Sequence, residues 1–210
     1  MKSNTQHTQN RYDLLAPIYN LMEWPMEQML FRKWRNNLWS KVKGPEVLEI
    51  GIGTGKNMPF HPTGIRITGL DISAGMLEKA RSFIHKHQIK NVVLNEADAQ
   101  QMPYPDNSFD SVAGTFVFCS VPDPVRGLRE ALRVAKPGGA LYLMEHMLAQ
   151  RKWLAGVMDK VDPVFHYVSG VHIARETVKN IEKAGWEIQN VEKLTSNGIF
   201  RMIVARKPKY

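Results

Sequence analysis

Short runs of apolar residues alternate with longer amphipathic stretches along most of the chain. The first run, Glu46–Ile50, ends at glycines, as a buried strand does before a turn. Between such runs, apolar residues recur at helical spacing, most clearly at 75–87, where Ser73 is a suitable N-cap, and at 124–135. Further strands are predicted at 65–71, 92–96, 111–116, 140–145, 186–193 and 200–206.

The order of these elements predicts one α/β domain. Strands joined by crossover helices form a parallel sheet with helices on both faces. The last two strands have only a short connection, which predicts an antiparallel hairpin at the sheet edge. We therefore expect a Rossmann-like, doubly wound sheet of seven strands, mostly parallel, in residues 44–210. Residues 1–43 are expected to form a helical extension that covers the cleft at the carboxyl ends of the strands.

Composition indicates the setting and the partners. A single cysteine, Cys119, excludes an internal disulfide and gives no support to a cysteine zinc site, so a reducing cytoplasm is expected. The beginning lacks the pattern of a secretory signal, and no apolar run is long enough for a membrane span. The net charge is +8, and the excess lies in residues 1–43 and 151–210. It predicts a polyanionic or membrane-surface partner, with scattered solubilising lysines as the alternative.

Candidate chemistry begins at the glycines after the first strand. Gly51, Gly53 and Gly55 form a G-x-G-x-G pattern, which lets the backbone approach a ligand and turn sharply. Asp71 ends the second strand twenty residues after Gly51, where a carboxylate can accept hydrogen bonds from both hydroxyls of a ribose. Together they predict a ligand that contains a nucleoside. Nicotinamide dinucleotides and S-adenosylmethionine both fit, and the glycine register discriminates weakly between them.

The next strand ends decide between these ligands. E-A-D-A-Q-Q-M-P at 96–103 precedes D-N-S-F-D-S-V at 106–112, and P-G-G follows at 137–139. The ordered set in 47–145 resembles class I S-adenosylmethionine-dependent methyltransferases, in particular the group with ubiquinone and menaquinone C-methyltransferases and bacterial phospholipid N-methyltransferases. The resemblance implies S-adenosylmethionine as the cofactor and no metal. The cofactor site that it implies comprises Tyr19, Glu49, Gly51, Gly53, Thr54, Gly55, Asp71, Ile72, Met76, Asp98, Ala99, Thr115 and Phe116.

The resemblance also implies a role for each part of this site. The glycine loop cradles the methionine part, and Asp71 holds the ribose. Ile72 and Met76 flank the adenine, Asp98 and Ala99 meet its amine and edge, and Thr115 and Phe116 lie below the methionyl group. The segment 11–20 is similar to the Y-D-x-x-A-x-x-Y-D segment with which this group covers the cofactor, although its final Asp is Asn20 here. Tyr19 is expected near the sulfonium because an aromatic face attracts cations. A buried packing tyrosine is the alternative.

The methyl acceptor is expected at the carboxyl ends of the fourth and fifth strands. The side chains there are Cys119, Ser120, Glu145 and His146. Of these, His146 is the best candidate base because the ordinary pKa of histidine is near neutrality, with a structural hydrogen bond as the alternative. The segment 162–176 concentrates His, Tyr and Arg, a composition that suits a substrate lid. The expected catalytic residues are His146, Tyr167 and Tyr19.

Two short motifs point to a substrate. The run at 115–124 and Met-Glu-His at 144–146 look more like the phospholipid and alkyl-thiol branches than the quinone branch. The resemblance therefore implies N-methylation of a phospholipid headgroup amine such as phosphatidylethanolamine, in which His146 or Tyr167 orients the neutral amine or receives its proton. S-methylation of a small thiol and C-methylation of a quinone precursor stay open. So does a non-catalytic cofactor-binding or RNA-associated protein, although no nucleic acid partner is expected.

Residues 21–43 suggest where a lipid would be met. Apolar and aromatic residues are interleaved there with arginine and lysine, and such a helix can lie on an anionic bilayer. Apolar residues also recur every four positions from Met26 to Leu38, so packing over the cofactor cleft is the alternative. Besides the cytoplasm, we therefore expect a peripheral location at the inner membrane face.

Overall fold

The protein is described by a computed structural model over residues 2–149, 151–169 and 172–209, with the side chains of all of these except residues 2–4, 20, 22, 23, 152 and 164–169. The strands are β1 (Glu46–Ile50), β2 (Arg66–Asp71), β3 (Val92–Glu96), β4 (Phe109–Thr115), β5 (Ala135–His146), β6 (Glu187–Lys193) and β7 (Phe200–Arg206). The helices are α1 (Lys2–Leu15), α2 (Tyr19–Met26), α3 (Arg32–Trp39), α4 (Ala74–His87), α5 (Pro124–Val134), α6 (Lys152–Ser169) and α7 (Thr177–Lys183). A π-helical turn, Glu27–Phe31, joins α2 to α3, and a 3-10 turn, Met58–Phe60, follows the glycine loop.

The strands form one seven-stranded sheet in the order β3-β2-β1-β4-β5-β7-β6. The first five pair in parallel, whereas β7 pairs antiparallel with both β5 and β6. The predicted fold, mostly parallel with an antiparallel C-terminal hairpin, is confirmed. The chain leaves β1 towards β2 on one side and later returns to β4 on the other. Such a reversal opens a crevice at the carboxyl ends of the strands.

The fifth strand begins earlier than predicted. Phe109 pairs with Ala135 and Ser111 with Ala140, so Pro137-Gly138-Gly139 forms a bulge inside β5 rather than a break before it. The bulge is held because Gly138 N donates to Lys207 O at 3.0 Å and Lys207 N donates to Gly139 O at 2.9 Å. Backbone hydrogen bonding across the sheet edge therefore extends the strand through a sequence that is typical of a turn.

The predicted helices α4 and α5 are confirmed within a residue at each end. The Ser73 hydroxyl caps α4 by accepting from Met76 N at 3.1 Å. Leu77 on α4 and Leu128 on α5 are completely buried against the sheet. Trp186 donates its indole N–H to Leu128 O at 2.9 Å, so the largest side chain of that face also satisfies its polar atom.

The second half of the predicted membrane segment lies in the core. Phe31, Trp34, Leu38 and Trp39 are buried and pack on the face of the sheet opposite to α5. The alternative, packing against the protein, therefore holds for this apolar stripe, because the sheet already covers it. Among the described helices, none combines the length and the apolarity that crossing a bilayer requires.

Candidate active site

A cavity of about 700 Å³ opens at the carboxyl ends of β1, β2 and β4, where the strand order reverses. Clefts at this position of an open α/β sheet are the usual ligand sites of such folds. Of the predicted cofactor residues, the cavity wall contains Tyr19, Gly51, Gly53, Asp71, Ile72, Met76, Asp98, Ala99, Thr115 and Phe116. Residues far apart in the sequence are thus brought to one place by the sheet.

The glycine loop presents backbone to this cavity. Gly51 has φ +66° and Gly53 has φ +57°, conformations that favour glycine. A Cβ atom on Gly51 would lie 2.3 Å from Cγ2 of Val117, so a side chain does not fit there. An added Cβ on Gly53 would meet only Gly51 O, at 4.0 Å, so this position is open on the cavity side. A ligand can therefore approach the chain closely at Gly53.

Asp71 lies at the centre of the cavity wall. Its Oδ2 accepts from Gly53 N at 2.8 Å, and its Oδ1 accepts from Ser73 N at 3.0 Å. Burial raises the pKa of Asp71 to about 6, although these backbone donors act in the opposite direction. Near neutral pH the group is an ionised acceptor, and its remaining lone pairs can receive the hydroxyl groups of a bound ligand.

Glu49, Thr54 and Gly55 do not line this cavity. Thr54 and Gly55 line a separate depression, and Glu49 is completely buried in a polar network below the glycine loop. The Glu49 carboxylate accepts from Asn57 Nδ2 at 2.6 Å and contacts His61 Nε2 at 2.9 Å. This places Glu49 behind the loop, where it can act on a ligand only through its neighbours.

Arg35 connects the same network to the cavity wall. Its guanidinium donates to Asn57 Oδ1 and to Thr115 Oγ1, both at 2.8 Å, and forms a salt bridge with Glu27 at 3.1 Å. Sequence reasoning did not select Arg35 as a site residue. The available signal was a single arginine within the buried stripe between Trp34 and Leu38, because such a charge needs partners.

Helix α1 lies across the mouth of the cavity. The Tyr12 hydroxyl and Ser120 Oγ are 2.5 Å apart, and Tyr12 is in the wall together with Thr8. Asp13 Oδ1 accepts from the Ser73 hydroxyl at 2.5 Å and from Gly75 N at 3.0 Å, at the first turn of α4. Tyr12 and Asp13 belong to the segment 11–20 that resembles the cofactor-covering motif, whereas Thr8 precedes it and carries no sequence signal. Contacts between distant segments set their positions.

Tyr19 is the aromatic residue of α2 in the wall. The Lys56 ammonium lies 5.2 Å from the centroid of its ring, which is the distance of a cation–π contact. The ring is therefore placed so that one of its faces receives a cation. Asn20, the altered position of the motif, has a side chain outside the described part of the structure.

Glu145 supports the cavity wall from behind. Its Oε1 accepts from Val117 N and Phe118 N, both at 3.0 Å, and the side chain is completely buried. The turn that it holds contains Phe116, a non-glycine residue with φ +58°, a conformation that costs free energy outside glycine. Burial raises the pKa of Glu145 to about 7.

His146 and Cys119, two other candidates for acceptor chemistry, do not line the cavity. The His146 ring packs edge-on against Phe200 with centroids 5.4 Å apart, and Phe200 in turn contacts Phe116 of the wall. Burial lowers the pKa of His146, so the imidazole is neutral at pH 7. Burial raises the pKa of the Cys119 thiol to about 12, which makes it a poor nucleophile.

Tyr167, the third predicted catalytic residue, and its neighbour His166 have side chains outside the described part of the structure. Asp162 of the same segment is described: its carboxylate accepts from Ile173 N and Ala174 N and lies 2.7 Å from His172 Nδ1. Within the described residues, no three His, Cys, Asp or Glu side chains converge in the manner of metal ligands.

Comparison with known proteins places this geometry in a family. Residues 48–143 match the family described as a methyltransferase domain. The chain is 34% identical over 132 residues to a phosphatidylethanolamine N-methyltransferase of Cereibacter sphaeroides. The aligned region covers 62% of this chain and 64% of the relative, slightly less than two thirds of its length. It is 34% identical over 182 residues to a thiol S-methyltransferase of Homo sapiens, covering 80% of this chain and 70% of that one.

Two further similarities extend over most of the chain. A demethylmenaquinone methyltransferase of Listeria welshimeri is 36% identical over 183 residues, covering 83% of this chain and 75% of the relative. The solved structure of an S-adenosylmethionine-dependent methyltransferase of Thermotoga maritima superposes with a TM-score of 0.72, covering 95% of this chain and 99% of that one at 22% identity. The chain belongs to the class I S-adenosylmethionine-dependent methyltransferases.

Proposed function

We propose that this methyltransferase N-methylates a lipid headgroup amine such as that of phosphatidylethanolamine. The family fixes the methyl donor, but the three relatives act, by their names, on three different acceptors. The acceptor therefore has to be argued from this chain's own residues. The observation that carries the proposal is a concentration of exposed apolar side chains beside the mouth of the cavity.

The cofactor half of the proposal rests on the cavity wall. Gly51 and Gly53 would bind the methionine part through bare backbone, Asp71 would accept the ribose hydroxyls, and Met76 would pack against the adenine with Asp98 at its edge. When bound, S-adenosylmethionine supplies an electrophilic methyl group. The protein's tasks are then to orient the acceptor and to exclude water. Helix α1, fixed over the opening, is suited to the second task.

The exposed apolar side chains lie in two segments: an N-terminal segment, of which Tyr12 and Tyr19 belong to the cavity wall, and α6. In the N-terminal segment, Leu14, Leu21 and Met29 are 79%, 76% and 76% exposed, and in α6 Trp153 is 68% exposed. Side chains of this kind are costly to leave in water unless a partner covers them. The remaining members of this surface are Ile18, Trp24, Met26, Val157 and Val161.

Basic side chains accompany both segments. Arg32 and Lys33 follow the first, and Arg151 and Lys160 accompany the second, all of them exposed. A mixture of exposed apolar and basic residues is typical of helices that lie in the headgroup region of an anionic bilayer. The proposed membrane contact is therefore residues 14–29 together with α6, rather than residues 21–43. Such a contact would deliver a lipid headgroup to the cavity. It therefore supports a lipid as the methyl acceptor rather than a small soluble thiol.

The wall chemistry favours an amine over a phenolic ring. The described wall offers no imidazole or lysine amine; its hydroxyls come from Thr8, Tyr12, Tyr19, Thr115 and Ser120, and its two carboxylates, Asp71 and Asp98, lie on the cofactor side. A neutral amine attacks with its own lone pair, whereas methylation of a phenolic ring carbon gains from a base that removes the phenol proton. The amine nitrogen becomes cationic as the new bond forms, and the face of Tyr19 can stabilise it.

His146 has an indirect role in this proposal. Its neutral ring supports Phe200, which packs on Phe116, so it shapes the acceptor side of the wall. Direct proton transfer would require the acceptor to come within hydrogen-bonding distance of the imidazole. The catalytic roles expected for His146 and Tyr167 stay predictions. A His146→Gln variant that loses activity towards a soluble acceptor, with unchanged cofactor affinity, would restore the direct role.

The test is transfer of a radiolabelled methyl group from S-adenosylmethionine to anionic vesicles with and without phosphatidylethanolamine, alongside small thiols and demethylated quinone precursors. We expect label in the aminophospholipid. The double variant Trp24→Ser, Met29→Ser should raise KM for vesicles and leave the rate on a short-chain soluble lipid unchanged. Val93→Ser, which removes an apolar side chain that is 64% exposed on β3, is the matched control. Label only in a thiol or a quinone precursor would refute the lipid assignment and leave the family intact.

A further inference from the structure

A second cavity, of about 820 Å³, lies between the end of β5, the start of α7 and strand β7. Its wall contains three cationic side chains, Arg175, Lys179 and Arg201, and one acidic side chain, Glu176. Glu176 is engaged by Lys179, whose Nζ lies 2.5 Å from its Oε1. Since these two charges compensate each other, Arg175 and Arg201 make the cavity wall positively charged.

Arg175 is partly buried and lacks a carboxylate partner. Its Nη2 donates to Val121 O at 3.0 Å, and its Nε is buried without any hydrogen-bond acceptor among the described residues. Asp162 and Asp123 act on it only through space, and burial lowers its pKa. A guanidinium in such a place has donors to spare for an anion.

Arg201, on β7, also has a guanidinium group without a carboxylate partner. It is only 8% exposed, and its guanidinium donates to two backbone carbonyls, Gly198 O at 2.7 Å and Leu148 O at 2.9 Å. No carboxylate oxygen in the described part of the chain lies within the 4.0 Å salt-bridge distance of Arg201 or Arg175. Buried charges are normally paired, so one buried and one partly buried guanidinium group without a carboxylate partner in the same wall require an explanation.

Thr177 provides an independent observation in the same wall. The residue is 1% exposed, and its hydroxyl finds no hydrogen-bond partner among the described side chains and backbone. A buried hydroxyl without a partner costs free energy that an apolar residue of the same shape would avoid. An occupant with acceptor oxygens would meet the remaining guanidinium donors of Arg175 and Arg201. The Thr177 hydroxyl and Arg175 Nε, which have less than 1 Å² of accessible surface each, would join it after a small local shift at the start of α7.

We propose that this cavity binds an oxyanion of the phosphate class, held by Arg175, Arg201 and the Thr177 hydroxyl. A phosphate or phosphodiester offers several acceptor oxygens around one centre, which matches donors that approach from α7 and from β7. Guanidinium groups are the usual partners of phosphate because their N–H groups match the spacing of its oxygens.

The position of the site suggests its source of phosphate. Arg175 lines the second cavity and donates to Val121 O, and Val121 lines the first cavity. This hydrogen bond therefore connects the walls of the two cavities. If the proposed function holds, on which this step rests, the phosphodiester of an aminophospholipid would occupy the second cavity while its amine enters the first. Free inorganic phosphate is the other source with the same chemistry.

The first measurement is saturable binding of inorganic phosphate to the full-length protein, followed by 31P NMR at constant ionic strength with chloride as the balancing anion. We expect binding that is weakened at least about tenfold by Arg201→Gln and by Thr177→Val. Thr177→Val removes a hydroxyl that has no partner in the free protein, so this variant should fold as well as the wild type. Arg129→Gln removes an exposed charge on α5 and is the matched control.

The source is then separated by competition. Dihexanoylphosphatidylethanolamine should displace inorganic phosphate, whereas dihexanoylglycerol, which lacks the phosphate, should not. Displacement supports the lipid source, and phosphate binding without displacement supports a site for free phosphate and removes the link to the acceptor. Absence of saturable binding, or equal binding by Thr177→Val, Arg201→Gln and wild type, would overturn the site. A lipid that binds without being methylated would instead count against the proposed function.

Discussion

The buried carboxyl group of Glu145 should lower the free energy of unfolding of this enzyme as pH rises. The substitution Glu145→Gln should remove that part of the pH dependence. Among the described residues the group has no counter-ion; its Oε1 accepts from Val117 N and Phe118 N, while its second oxygen, Oε2, is buried without a hydrogen-bond partner there. Burial raises its pKa from 4.5 to about 7. Between these values the folded protein keeps a proton that the unfolded chain releases, so the free energy of unfolding falls as pH rises.

The size of the effect follows from the two pKa values. A difference of two to three pKa units corresponds to a limiting loss of about 3 kcal/mol above pH 7. Because the titration is gradual, about two thirds or more of this loss should occur between pH 5 and pH 8. That amount is a large fraction of the 5 to 15 kcal/mol by which ordinary domains are stable.

The assay is urea unfolding of wild type and Glu145→Gln at several values between pH 5 and pH 8. The glutamine amide oxygen can still accept from Val117 N and Phe118 N, but it does not titrate. Subtracting the two curves cancels every other titrating group, including Asp71. The difference in favour of the variant should grow by about 2 to 3 kcal/mol across this range. Parallel curves would show that Glu145 is ionised or hydrated in the folded state and would refute the reasoning.

Three other expectations concern the cavity and its cover. The Kd for S-adenosylmethionine, measured by calorimetry, should rise as pH falls below about 6, because the Asp71 carboxylate takes up a proton there; Asp71→Asn should bind weakly and without this dependence. Asp13→Ala should weaken the start of α4 by about 1 kcal/mol and speed hydrogen exchange in α1, whereas Asp13→Asn, which keeps an acceptor, should do less. Cys119 should resist a disulfide reagent at pH 8 in the folded protein and react once urea unfolds it; equal rates in both states would contradict its burial.

The sheet could be predicted because each element carries its own signal. Buried strands such as Glu46–Ile50 are short apolar runs, and α4 has both an N-cap in Ser73 and an apolar stripe. Strand β5 shows where this local reasoning fails. Pro137-Gly138-Gly139 has the composition of a turn, but partners on Lys207, seventy residues away in sequence, keep it in the sheet. A local pattern contains no information about such a partner.

The site residues also fall into two groups: those whose place follows from the local sequence, and those whose place depends on distant contacts. Gly51, Gly53 and Asp71 follow directly from strand ends, and the structure brings them together. Glu49 was expected beside them, but strand alternation turns its side chain to the other face of the sheet, towards Asn57. A helical stripe of period four in α3 could equally have faced lipid or protein. Only the sheet face that it covers decides in favour of protein.

This division also explains how one scaffold can serve relatives named for three acceptors. The side of the cavity expected to hold the cofactor is built from strand ends, and the proposed contacts there would use backbone and two carboxylates. The acceptor side is built from segments that meet only in the folded chain: Tyr12 contacts Ser120, and Arg175 contacts Val121. Substitutions in residues 1–30 and 150–177 can therefore change the acceptor while the β1 and β2 ends keep the cofactor. It follows that specificity should be exchanged between relatives by transplanting these two segments together, since either one alone leaves half of the acceptor wall unmatched.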